Sequence, residues 1–392
     1  MSTAVTRTQK GKDPLRFALP FFTAVPPPDR KPTPHGRRML DHIQGTLNPV
    51  PAVKGTSMMT LADIIGKDSA TGIEARGTMC FHATGDTGRR TDSPQGDVAA
   101  AMARDFNIQQ PDNTPAFFLH LGDVIYGHTK DASYRQEFYE PYMHYPGKII
   151  AIAGNHDGET IPRTDPETLR AFRANFCAPS QKVPAIAGSI FRQTMTQPGV
   201  YWFLDAPFVD IIGLYSNTAE NPGFISGEVP GAAQKKWLVK ILQAVAKARK
   251  AGKRKLMIIA THHPPFSSAG HSGSAEMLAD IDDACRTAKV MPDLFLSGHS
   301  HTYQRYTRRV TLEGMPLEIP FIVCGVGGFN AQPISAAQGV VDGDHTFEHA
   351  HAGYGYLLVV ATKSTLTVKA IGVDRQNRTQ FDTVTVNVAG RG

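Results

Sequence analysis

Seven short apolar runs, each closed by a polar turn, constrain the fold of this chain most. In order from about residue 76 they read TMCFHATGD, AFFLHLGD, IIAIAGNHD, VDIIGLYSN, KLMIIATHHP, DLFLSGHSH and PFIVCGVGG. Uninterrupted apolar strands of this length belong in a sheet covered on both faces, because neither side of the strand is built to meet water. Helical patterns fall between them at about 97–105, 131–144, 165–176, 231–251 and 274–288. In QKKWLVKILQAV, for example, Trp237, Leu238, Ile241, Leu242 and Val245 form one apolar stripe. The chain therefore reads as α/β. The tail, YGYLLVVATKSTLTVKAIGV, reads as two antiparallel strands, and no internal repeat is evident.

A length of 392 residues allows one large α/β domain with additions or two ordinary domains. Residues 1–75 are rich in Pro, Gly and basic residues and carry one short helical candidate, TLADIIG, with Thr60 as its N-cap. They read as an N-terminal extension or arm, and residues 76–392 as the main domain. Hydrophobic residues at 41% and charged residues at 19% exclude a disordered or coiled-coil chain. The excess of 41 Lys+Arg over 35 Asp+Glu is mild, and its densest run, KARKAGKRK, reads as a solvated helix C-terminus. A nucleic-acid partner is not expected.

The four cysteines, Cys80, Cys177, Cys285 and Cys324, form no CxxC pair and read as buried free thiols of a reducing compartment. The N-terminal run FALPFFTAV is interrupted by Pro20 and reads as a poor signal peptide. No segment approaches the roughly 18 apolar residues of a membrane helix. A soluble cytoplasmic protein without a membrane partner is the expectation.

The strand ends carry the chemistry, since open α/β sheets gather ligands at their carboxyl edges. The polar clusters there are Asp86; Asp123 with Tyr126; Asn155 with His156 and Asp157; His262 with His263; and His299 with His301. Taken singly, each could be a turn former or a packed side chain. Taken together they make a donor set of carboxylate, phenolate, amide oxygen and imidazole with no thiolate, which suits Fe, Mn or Zn. Seven potential ligands exceed what one catalytic ion with open positions uses. Two ions sharing a bridging carboxylate would use them all.

In order, GDTG (85–88), GDVIY (122–126), GNHD (154–157), HHP (262–264) and GHSH (298–301) resemble the five signature blocks of the calcineurin-like metallophosphoesterases, over roughly residues 76–375. Asp-x-Gly in the first block, Tyr126 in the second, the continuation GHSHTYQR, and the segments QKKWL and FIVCGVGGFN are similar to the purple acid phosphatase branch. The resemblance implies a four-layer αββα sandwich of two mixed sheets flanked by helices. It implies two metal ions per chain, Fe with Fe, Zn or Mn. Asp86, Asp123, Tyr126 and His301 would hold the first, and Asp123 would bridge to a second completed by Asn155, His262 and His299. His263 would be a neighbour rather than a ligand.

The implied activity is hydrolysis of small phosphate monoesters by attack of a metal-held hydroxide. His156 would stabilise charge beside the phosphate. His271 aligns with a histidine that protonates the leaving group in plant-type members, and otherwise reads as a surface loop residue. A phosphodiesterase acting on cyclic nucleotides or other diesters, and a scaffold that kept the fold without the chemistry, are the alternatives. Diesterases of this kind mostly carry His where Gly88 stands. Asp157 replaces the Glu usual in plant-type members, and residues 1–75 are not expected to form the N-terminal β-sandwich of those members. His82 and His120 read as core histidines, His128 stays undecided, and residues 158–200, with Phe172, Phe176 and Phe191, are expected to wall the pocket.

Overall fold

The structure, a computed structural model, describes residues 34–88, 93–127, 130–163 and 165–388. His128 and the run FALPFFTAV lie outside the described residues. In chain order the described strands are β1 (Met58–Thr60), β2 (Thr78–Thr84), β3 (Pro115–His120), β4 (Lys148–Ala151), β5 (Trp202–Asp205), β6 (Val209–Gly213), β7 (Leu256–Ala260) and β8 (Leu294–Ser297). They continue with β9 (Tyr303–Leu312), β10 (Met315–Cys324), β11 (Val341–Asp342), β12 (His345–His351), β13 (Tyr354–Thr362), β14 (Thr365–Asp374) and β15 (Asn377–Asn387).

Among the described residues these form two mixed sheets, one ordered β1-β5-β6-β7-β8-β10-β9-β12-β11 and the other β15-β14-β13-β2-β3-β4. All seven apolar runs are strands. In the nine-stranded sheet the side chains of these runs alternate between two cores, as the period of two requires. Ile211, Ile258, Leu294, Leu296 and Ile322 point to the larger core shared with Phe81, Phe118 and Leu357 of the six-stranded sheet. Ile212, Met257, Ile259, Phe295 and Val323 point the other way, to Leu238, Leu242 and Val245 of the helix Ala233–Lys250 and to Met277 and Ile281 of the helix Ala275–Ala288. The helix Pro94–Ala103 packs on β13 and β14 outside the six-stranded sheet. The layers are α, β, β, α.

The described part of the 1–75 segment is built into this body. β1 is the edge strand of the larger sheet, paired parallel with β5, while Val50 and Val53 pack on the main core. Leu40, Ile43 and Leu47 of the first described helix and the turn after it bury against Phe224. Thr60 caps the helix Leu61–Ile65 through a reciprocal box with Asp63.

Two helical expectations shorten. In 165–176 only Arg170–Phe176 is helical, because Ile161 and Asp165 pair across a turn and Pro166 follows. In 131–144 one turn, Lys130–Ser133, leads into a π-helical stretch, Tyr134–Tyr139, closed by the Glu140 amide on the Arg135 carbonyl at 2.9 Å. The run YGYLLVVATKSTLTVKAIGV is the antiparallel pair β13–β14, and β15 adds a third strand to the meander. All four cysteines are buried free thiols. No described helix is long and apolar enough to cross a membrane.

Candidate metal centre

β2, β3 and β4 run parallel in one sheet, and β6, β7, β8 and β10 run parallel in the other. Their carboxyl ends meet. The Gly85 amide, after β2, donates to the Cys324 carbonyl that ends β10 (2.9 Å), and Gly298, after β8, donates to the His262 carbonyl, after β7 (2.9 Å). Two sets of strand ends thus face each other across one site.

The seven residues expected there do converge. Asp86 Oδ1 lies 3.1 Å from the Tyr126 hydroxyl and 3.6 Å from His301 Nε2. Asn155 Oδ1 lies 3.1 Å from both His262 Nε2 and His299 Nδ1. Asp123 stands between these groups, with Oδ2 3.2 Å from His262 Nε2, which itself is 3.9 Å from Asp86 Oδ1. The ligand atoms of Asp123, His262 and His299 all fall within 4.8 Å of one another.

Three observations test whether these residues fit cations. First, Asp123 Oδ2 is buried with no hydrogen-bond partner, and its approach to His262 lacks hydrogen-bond geometry. A buried carboxylate oxygen left so is costly unless something positive completes it. Second, each candidate imidazole has one nitrogen facing a backbone carbonyl: His262 Nδ1 faces Leu121 (2.9 Å), His299 Nε2 faces Glu220 (2.7 Å) and His301 Nδ1 faces Asn330 (3.0 Å). A carbonyl only accepts, so those nitrogens carry the proton. In its neutral form each ring turns the lone pair of its other nitrogen into the site, the arrangement of metal-ligating histidine. Third, Asp86, Asp123 and His299 hold left-handed backbone, with φ of 58°, 53° and 66°. Each such residue costs about 1–3 kcal/mol, and such strain gathers at functional sites. The residues fit a pair of hard or borderline cations.

Close packing accounts for two motif glycines. A Cβ on Gly154 would lie 1.9 Å from Asp123 Oδ1, and one on Gly88 would lie 2.1 Å from Tyr126 Cδ2. Gly88 and Tyr126 are therefore one feature: no larger residue can stand at 88 while that ring stands at 126. Tyr126 also stacks on Phe329, with ring centroids 3.6 Å apart. Asp157, the departure from the plant-type pattern, accepts from the amides of Gly154 (2.9 Å) and Val124 (3.2 Å) and so ties two ligand turns together.

A cleft of about 340 Å³ opens over the centre, lined by Asp123, His156, Glu220, His271, His299, His301 and the segment Phe329–Gln332. His156 reaches into it, with Nδ1 2.8 Å from Glu159 Oε1. Burial opposes its charge, but Asp123 and Glu159 outweigh burial and lift its imidazole to about 9. His271 is no surface residue. Its ring centroid lies 4.2 Å from that of His299, and burial with the neighbouring His301 pushes its pKa down to about 3. Asn221 Oδ1 accepts from the Ser272 amide (2.9 Å), which turns the Asn221 amide nitrogen to His271 Nδ1 (3.3 Å). The neutral ring therefore bears its proton on Nε2.

His263 is occupied elsewhere, with Nδ1 on Ser216 Oγ (2.8 Å) and Nε2 on the Ala219 carbonyl (2.7 Å). His120 and His82 are core residues, bound to Thr87 and to Tyr145 with Asp105. The expected pocket wall is corrected. Phe172 is fully buried, whereas Phe176 and Phe191 line a separate recess beside Lys148. Glu159, Glu220, Asn221 and Phe329 escaped the sequence reading. Glu159, three residues after His156 in a helical turn, and Phe329, within FIVCGVGGFN, carried a local signal; Glu220 and Asn221 carried none.

The Calcineurin-like phosphoesterase family model matches residues 79–303. The chain belongs to this family. Members of the calcineurin-like phosphoesterases are hydrolases with a dinuclear metal centre, which accords with the convergence described above. Purple acid phosphatase 15 of Arabidopsis thaliana is 24% identical over 242 residues, covering 55% of this phosphoesterase but only 40% of the plant protein's own length. Among solved structures, GAP50, described as the anchor in the inner membrane complex of Plasmodium, superimposes with a TM-score of 0.55 at 13% identity, covering 79% of this chain and 89% of that one. PhoD reaches 0.49 at 11% identity, covering 79% and 70%. The GAP50 likeness bears on the fold alone, and the PhoD value is lower still.

Proposed function

We propose that this phosphoesterase hydrolyses phosphate monoesters at a centre of two metal ions. Asp86, Asp123, Tyr126 and His301 hold one ion, and Asp123, Asn155, His262 and His299 the other. The observation that carries the reading is the three imidazoles, each pinned by a carbonyl, with the other nitrogens of His262 and His299 gathered with Asp123 and that of His301 3.6 Å from Asp86 Oδ1. Two such ions, when bound, activate water at neutral pH and neutralise phosphoryl oxygens.

The chain's own residues do the rest. His156, beside Asp123 and backed by Glu159, stabilises charge on the phosphoryl group. A bound phosphate together with Glu220 Oε1, 3.5 Å from Nδ1, favours the His271 imidazolium, which passes its Nε2 proton to the departing alcohol oxygen and returns to the neutral ring. Tyr126, as phenolate, is a hard anionic donor that favours a ferric ion, so iron-loaded protein is expected to be coloured. The partner is a small phosphorylated molecule sized to the cleft. The match to a purple acid phosphatase supports the monoester assignment, and filling of all seven ligand positions supports an enzyme over a scaffold.

The test compares p-nitrophenyl phosphate with bis-p-nitrophenyl phosphate after reconstitution with Fe, Mn or Zn. A monoester preference of at least about tenfold in kcat/KM is expected. A diester preference overturns the substrate assignment. Protein holding two ions and turning over neither substrate would return the scaffold reading.

A further inference from the structure

Asn155 poses a problem that its neighbours answer. An amide can present either its oxygen or its nitrogen to a site, and the two orientations have nearly the same shape. In the neutral, ligating form, His262 Nε2 and His299 Nδ1 both turn lone pairs towards Asn155, each 3.1 Å from Oδ1. In that form the two lone pairs favour the wrong orientation, with the amide nitrogen donating inward. An ion needs the oxygen there.

The residue that opposes the wrong orientation is Glu220. Its Oε2 lies 3.3 Å from Asn155 Nδ2 and accepts its hydrogen bond. A carboxylate can only accept, so it rewards the nitrogen and repels the oxygen on its side of the amide. The backbone carbonyl of the same residue holds His299 Nε2 at 2.7 Å, leaving Nδ1 directed inward. One residue thus sets the orientation of two ligands of one ion, Asn155 by its side chain and His299 by its main chain.

We propose that Glu220 is a positioning residue of the second metal position, selecting the orientation of Asn155 that can bind a cation. This rests on the dinuclear reading above. The two separate in one experiment: Mn²⁺ titration of metal-free wild type, Glu220→Ala and Glu220→Gln, followed by electron paramagnetic resonance of free Mn²⁺, with kcat measured along the titration. Wild type is expected to bind two ions. Glu220→Ala is expected to weaken one site by about 10- to 100-fold, the usual effect of removing such a partner, and to leave the other unchanged. Its kcat at saturating Mn²⁺ is expected to stay below that of wild type, because Glu220 Oε1 also faces His271 Nδ1, so the metal affinities carry the test. Glu220→Gln keeps an acceptor for the Asn155 amide and is expected to lose less than Ala. Glu220 is half exposed, so Glu220→Ala is expected to fold, and Glu220→Asp, which withdraws the carboxylate by one methylene, gives a second variant with a smaller loss at the same site. Two unaltered Mn²⁺ affinities in folded Glu220→Ala or Glu220→Asp overturn the inference and leave the dinuclear reading standing. A wild type that binds fewer than two ions overturns both.

Discussion

At the scale of single residues, the site is a set of contacts with no slack. Gly88 and Tyr126 show it best: Gly88→Ala would bring a methyl to 2.1 Å from the Tyr126 ring, which cannot yield towards Phe329, already stacked 3.6 Å away. Such overpacking costs about 1–3 kcal/mol. Urea unfolding of Gly88→Ala is expected to show that loss, together with slower turnover, whereas unchanged stability and rate would mean the ring moves freely. The seven candidate ligands were legible in the sequence because each follows directly from an apolar strand, at a point where a polar residue has no packing reason to stand. Glu220 and Asn221 were not legible. They sit in NTAENPG, a segment with the composition of any turn, and only the fold carries it onto the site.

At the scale of elements, the continuous apolar strands were readable because burial on both faces removes any need for polar alternation. β9, YQRYTRRVTL, was missed because its partly exposed face carries arginines, with Arg305 reaching Asp382 on β15 at 2.7 Å. β1 was missed at three residues long, too short for a periodicity. A similar polar clasp joins three strands of the smaller sheet: His82 on β2, Tyr356 on β13 and Arg378 on β15 all bind Asp105.

This clasp makes the element sensitive to acid. Burial holds the His82 imidazole below its ordinary value. Burial opposes the charge of Asp105 too, but hydrogen bonds from His82 and Tyr356 outweigh it and keep that carboxyl below the usual carboxylate range. In both cases the unfolded chain takes the proton first as pH falls, His82 from about 6.5 and Asp105 from about 3.9. Stability is therefore expected to fall between pH 7 and 5. His82→Gln, which can still donate to Asp105, is expected to flatten the urea midpoint over that range, and an equally steep profile in the variant would place the effect elsewhere.

At the scale of the whole molecule, the candidate centre is a joint between two sheets. Asp86, Asp123, Tyr126 and Asn155 follow strands of the six-stranded sheet, and His262, His299 and His301 follow strands of the nine-stranded one. Ions bound there bind the folded chain and not the unfolded one, so at 100 times the dissociation constant each adds about 2.7 kcal/mol. Chelation is expected to lower the melting temperature and reloading to restore it, and equal melting with and without metal would speak against a joint. The central claim is that Asp123 bridges two ions, and metal content per chain tests it most directly. Elemental analysis of reconstituted protein is expected to give two ions in wild type and at most one in Asp123→Asn. One ion or none in wild type, or two retained in the variant, would contradict it.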